Sequence, residues 1–106
     1  MYYVYVLASG KNGTLYVGMA SDLLRRVAEH KDGSGNVFTS KYGVGQLVYY
    51  EEYASKEEAA GREKQLKHWR RAWKIKLIER ENREWMDLSG TISQSNKNGS
   101  SAVKPK

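Results

Sequence analysis

Tyr2-Tyr3-Val4-Tyr5-Val6-Leu7-Ala8, then Ser9-Gly10-Lys11-Asn12-Gly13, then Thr14-Leu15-Tyr16-Val17-Gly18-Met19: the reading of these residues decides the fold. The first segment is rich in Val, Leu and Tyr and reads as a strand. Apolar residues fall on both of its faces, which suits a central, buried strand. The second segment is a turn cluster, and its Asn12-Gly13 pair is a strong hairpin signal because both residue types accept positive φ. The third is the returning strand, so the chain opens with a β-hairpin.

Working outward, Ser21-Asp22 marks a helix start, and Leu23, Leu24 and Val27 give the helix an apolar stripe as far as about Lys31. Asp32 to Gly45 is rich in glycine and polar residues and reads as a long loop. Leu47 to Tyr53 is a third strand. Ser55 and Glu58 have the spacing of a capping box, which opens a helix to about Lys67. Another helix spans about Arg70 to Glu81, with Trp73, Leu77 and Ile78 on one side. Ser89 to Lys106 has few large apolar residues, and a disordered polar tail is expected there. The reading is therefore an α+β domain over residues 1–88, in the order ββαβαα. Its small, three-stranded, mainly antiparallel sheet is flanked by helices.

At 106 residues the chain fits one domain. With no cysteine, it has no disulfide framework, thiolate nucleophile or Cys-ligated metal. No stretch has the apolar length to span a bilayer, and the N-terminus does not read as a signal peptide, so a cytoplasmic location and no membrane partner are expected. The net charge of +6 suits a polyanionic partner. From Arg62 to Arg83, nine Lys or Arg residues face Glu63, Glu79 and Glu81. Arg25, Arg62, Lys64, Lys67, Arg70, Arg71 and Lys74 are the expected nucleic-acid contacts. The tyrosines and tryptophans can stack on bases, but packing in the core accounts for most of them.

Several side chains are unusual for a plain core. Glu63 shares a helix face with Ala59 and Leu66, so its carboxylate either reaches solvent at the edge of that face or is paired or metal-bound. Asp22, Arg26 and His30, spaced by four, lie along one polar face; the alternative is a solvated face with an Asp22–Arg26 ion pair. Tyr5 and Tyr16 are neighbours across the hairpin, as packing residues or as functional phenols. Together these groups meet the needs of phosphodiester hydrolysis. A carboxylate can hold Mg²⁺, an arginine can stabilise transition-state charge, and a phenol or imidazole can orient or deprotonate water.

Tyr3-Val4-Tyr5 and Tyr16-Val17-Gly18, on paired strands, resemble the two tripeptides that name the GIY-YIG nucleases. The resemblance continues through Ser21 to His30 and Arg62 to Lys67, and ends near Asn82-Arg83-Glu84-Trp85. The small stand-alone bacterial members are the most similar. It implies an endonuclease that uses Mg²⁺ or Mn²⁺ on nucleic acid, with DNA as the expected polymer and repair or turnover as the setting. It implies further that Tyr16 activates water, Tyr5 is its hydrogen-bonding neighbour, Arg26 binds phosphate, and His30 is an acid, base or phosphate contact. Glu63 would be the metal ligand, and Asn82 would shape the site. Whether Tyr16 or His30 is the general base stays open. Tyr3 and Val4 depart from Gly-Ile, Met19 stands where some repair members carry lysine, and Arg83 stands where small relatives often carry proline. No attached DNA-binding domain is read. The alternatives are a nucleic-acid-binding module of the same fold without catalysis, and a protein-interaction surface at Trp69–Trp73 and Tyr49–Tyr53.

Overall fold

The computed structural model describes residues 1–95. The chain runs β1 (Tyr2–Ala8), β2 (Leu15–Ala20), α1 (Leu23–Lys31), α2 (Val37–Tyr42), β3 (Gln46–Tyr53), α3 (Lys56–His68), α4 (Arg71–Glu81) and α5 (Ser89–Ser95). The three strands form one antiparallel sheet in the order β2-β1-β3. β1 is the middle strand, which is why Val4 to Ala8 are all buried. Strand alternation assigns the faces. Val4 and Val6 share one face with Glu51 and Tyr49, their partners on β3. Tyr5 and Leu7 share the other with Gly18 and Tyr16, their partners on β2. A bulge between Val6 and Leu7 takes up one extra β3 residue and brings Leu47 opposite Leu7.

The hairpin turn uses the expected chemistry. Asn12 has φ 59°, and the Ser9 hydroxyl accepts a hydrogen bond from Thr14 N at 2.9 Å. Arg71, at the start of α4, donates to the Asn12 and Gly13 carbonyls at 2.8 and 2.7 Å, so a helix end clasps this turn. Asp22 caps α1 by accepting from Arg25 N, and Ser55 caps α3 by accepting from Glu58 N. α3 lies across the sheet and buries Ala59 and Leu66.

Four sequence expectations need correction. The stretch from Asp32 to Gly45 contains helix α2, capped by Asn36 and ended by Gly43 in the left-handed conformation. Six residues with Thr39 alone buried carry no apolar period, so composition could not reveal this helix. His30 is buried rather than polar-facing, because it continues the Leu23–Val27 stripe. Trp73 is 51% exposed and leaves the α4 core face to Leu77 and Ile78. Ser89–Ser95 is a short helix whose Ile92 is buried and which packs on α1. The rest of the expected tail, residues 96–106, lies outside the described residues.

Candidate active site

The hairpin register sets Tyr5 opposite Gly18 and Tyr16 opposite Leu7, so both phenols rise from one sheet face with ring centres 6.4 Å apart. A Cβ at Gly18 would lie 2.5 Å from the Tyr5 Cζ and Oη, so only glycine lets the Tyr5 ring lie over β2. α1 delivers His30, whose ring centre is 5.9 Å from Tyr5 and 5.2 Å from Tyr16.

A chain of hydrogen bonds then joins the two phenols. Tyr5 Oη lies 3.1 Å from His30 Nε2, and His30 Nδ1 lies 2.8 Å from Thr39 Oγ1. The Thr39 hydroxyl lies 3.1 Å from Asn36 Oδ1, and Asn36 Nδ2 donates to Tyr16 Oη at 3.0 Å. Asn36 Oδ1 also accepts from Thr39 N at 2.8 Å as the α2 cap, which fixes the amide orientation and aims its NH₂ at Tyr16. With the Thr39 hydroxyl donating to Asn36, its oxygen accepts from His30 Nδ1–H, and His30 Nε2 accepts the Tyr5 proton. This pattern assigns the tautomer. Gly35 permits the approach, since a Cβ there would sit 2.5 Å from His30 Nδ1.

Burial raises the Tyr5 pKa; Tyr16 and Glu63 add to the rise, and the charge of Arg26 opposes it. Tyr5 is therefore a neutral hydrogen-bonding group. Burial also lowers the His30 pKa, helped by Arg26 and opposed by Glu29, so the imidazole is neutral at pH 7. Arg26 leaves α1 one turn before His30, and Glu63 leaves α3, which packs on β1 and β2, the strands that carry Tyr5 and Tyr16. Arg26 is half-exposed and pairs with Glu29 at 3.3 Å, which Arg25 also pairs at 3.3 Å; neither cation pairs with Asp22. Glu63 is half-buried, with Lys67 Nζ at 3.2 Å. Tyr5, Tyr16, Arg26, His30 and Glu63 thus share one neighbourhood.

Asn82 lies elsewhere. It ends α4, donates to the Val48 and Met86 carbonyls at 3.1 and 2.8 Å, and accepts from Met86 N at 2.9 Å. Its whole amide is used in shaping the 82–86 turn. Arg62 is also committed: it bonds both oxygens of Glu51, the nearer contacts at 2.9 Å, and Glu51 is fully buried. The hydroxyls of Tyr49 and Tyr53 donate to the same carboxylate at 2.5 and 2.6 Å. Burial pushes the Glu51 pKa up, but the bonds from Arg62, Tyr49 and Tyr53 outweigh it and hold the carboxyl below its ordinary value. Of the other expected contacts, Lys64 is exposed, Lys67 and Arg71 are engaged as described, and Arg70 stacks on Trp73 at 5.9 Å. Lys74 is half-buried, and burial, then Arg71, lowers its pKa.

Sequence reasoning missed Asn36, Thr39 and Glu51. Only Glu51 left a signal: Tyr49, Glu51 and Tyr53 are spaced by two and so share a strand face.

The sequence pattern of the GIY-YIG catalytic domain matches residues 1–76. The UPF0213 protein SSP2268 of Staphylococcus saprophyticus is 39% identical over 77 residues, covering 73% of this chain and 93% of that protein. The UPF0213 protein CPE1444 of Clostridium perfringens is 38% identical over 78 residues, covering 74% and 83%. Among solved structures, the solution NMR structure of the UPF0213 protein BH0048 from Bacillus halodurans is 38% identical, covers 74% of this chain and 84% of that one, and has a TM-score of 0.46. The small domain built around the Tyr5–Tyr16 hairpin therefore belongs to the GIY-YIG catalytic domain family.

Proposed function

We propose that the chain is a divalent-metal-dependent endonuclease that hydrolyses phosphodiester bonds of nucleic acid, with DNA as its polymer and repair or turnover as its setting. The observation that carries this reading is the gathering of two phenols, a neutral imidazole, an arginine and a half-buried carboxylate in one neighbourhood. Family membership supports a nucleic-acid substrate.

Among the described residues, no three His, Asp or Glu side chains gather as metal ligands. Glu63 alone fits Mg²⁺ or Mn²⁺ in the way such ions are usually held at phosphate sites, by one or two carboxylates with water and substrate oxygens completing the shell. Held there, the ion would supply charge neutralisation at the phosphate and the leaving oxygen. The protein groups do the rest. Arg26 binds the phosphate and stabilises charge in the transition state. Tyr16 orients the attacking water, with Asn36 N–H bonded to its oxygen. Tyr5 and His30 form a neutral pair behind it, and His30 stays a candidate acid or base.

Glu63→Gln is the deciding variant. Metal-dependent cleavage of plasmid DNA should be lost, and a Mg²⁺ titration followed by amide NMR should lose its shifts near Tyr5, Tyr16 and Arg26. Undiminished cleavage by the variant would overturn the assignment. The second reading, a binding module without catalysis, is favoured by the lone carboxylate and its Lys67 partner. It predicts that wild type binds DNA and shows no metal-dependent cleavage.

A further inference from the structure

A second feature lies on the sheet face away from the tyrosine pair. A groove of about 480 Å³ runs between α3 and α4, lined by Arg62, Trp69, Trp73, Lys76, Leu77 and Arg80. No carboxylate lines it. Trp73, Lys76, Leu77 and Arg80 follow one another at helical spacing and form a single stripe of α4. Trp69 is fixed from both sides: the Arg62 guanidinium lies 5.1 Å from its ring centre, and the Trp73 ring meets it edge-on at 5.8 Å. Arg62 is itself locked by the buried Glu51, so the groove floor is rigid. Trp73 is 51% exposed even with the Arg70 guanidinium 5.9 Å from its ring centre. Neither Lys76 nor Arg80 has an ion pair among the described residues.

An exposed indole costs free energy in water, and a concave surface of unpaired cations repels a basic partner and attracts an anionic one. The occupant that satisfies both is flat, apolar on its faces and anionic along its backbone. We propose that this groove is a stacking site for unpaired nucleotides of single-stranded nucleic acid, with a base on Trp73 and phosphates on Lys76 and Arg80. A paired base keeps both faces stacked on its neighbours and cannot offer one to the indole, so the site selects single strand over duplex. This rests on the nucleic-acid reading above and names the form of polymer held. Glu63 is not among the residues that line the groove, so Glu63→Gln is expected to retain the grip.

The test uses tryptophan fluorescence of the full chain with three probes: a short oligothymidylate, its duplex with oligoadenylate, and heparin as a base-free polyanion. Oligothymidylate should quench saturably, and Trp73→Ala should lose most of the quench and bind about 5- to 100-fold more weakly. Trp73→Phe, which keeps a ring, should restore most of the affinity. Lys76→Gln and Arg80→Gln should each lower the log–log salt slope by about 0.7. Amide spectra control for folding, which truncation of an exposed side chain should spare. Equal oligothymidylate affinity in wild type and Trp73→Ala would overturn the proposal, as would the same Trp73 dependence with duplex. Absence of any nucleic-acid binding at low salt would overturn it too, and would leave the groove to an acidic protein segment. Loss of cleavage in Glu63→Gln with quenching intact would separate this site from the hydrolytic one.

Discussion

Glu51 and Glu63 are both acids among aromatic and apolar neighbours, yet they do opposite work. Glu51 is sealed from water and receives Arg62 and two tyrosine hydroxyls. Removing its charge leaves a guanidinium largely buried without its partner. Glu51→Gln should therefore lower unfolding stability by about 3–5 kcal/mol in urea titration. Among the described residues Glu63 ion-pairs with Lys67 alone, at i,i+4 on a half-exposed helix face, so Glu63→Gln should change stability by about 0.5 kcal/mol or less. A small effect at Glu51 would mean that water reaches the pair. His30 sets a pH dependence. An unfolded histidine gains a proton as pH falls through 6.5, whereas the folded ring, held lower by burial, gains it later. In that window the unfolded state binds more protons, so stability falls on acidification. Urea midpoints should drop as pH falls below 6.5, and the drop should be shallower in His30→Gln. Tyr5, Tyr16, Arg26 and Glu63 were legible as single residues because strand pairing and helical spacing are local rules. The Arg62–Glu51 pair was not, since it joins two elements: the strand period sets Glu51 beside Tyr49 and Tyr53 but says nothing of Arg62.

Element by element, boundaries followed capping chemistry. Asp22 and Ser55 open helices because each side chain accepts a backbone N–H of the first turn, and both were readable in the chain. α2 and α5 escaped because neither carries an apolar stripe; each is held by contacts that only the folded chain supplies. α2 matters most, for it carries the Asn36–Thr39 end of the bonds that join the two phenols. Asn36 has two duties, and two substitutions separate them. Asn36→Ala removes the cap and the contact to Tyr16 and should cost about 1 kcal/mol. Asn36→Asp keeps the capping oxygen but places an acceptor where the N–H faced Tyr16. Its stability should stay near wild type while the Tyr16 ring and His30 imidazole NMR signals move. Unmoved signals in the Asp variant would reduce Asn36 to a cap.

At the level of the whole molecule, total charge was visible in the sequence but its partition was not. Several of the expected nucleic-acid contacts are spent inside the fold, on Glu51, on Glu63 and on the hairpin carbonyls. The cations left free still bound the behaviour: raising salt from 50 to 200 mM should weaken DNA binding at least roughly tenfold, even if only two phosphates are held. Salt-insensitive binding would remove nucleic acid from the account. The strand order β2-β1-β3 has a consequence for how the chain is made. The first strand synthesised is the middle one, and its second neighbour ends only at Tyr53. At about 5–20 residues per second, one hydrogen-bonding edge of β1 stays bare for roughly a few seconds on the ribosome. A bare edge is a template for other strands, so this small protein is most prone to aggregate when half-made, and fragments that stop short of β3 should be the sticky ones.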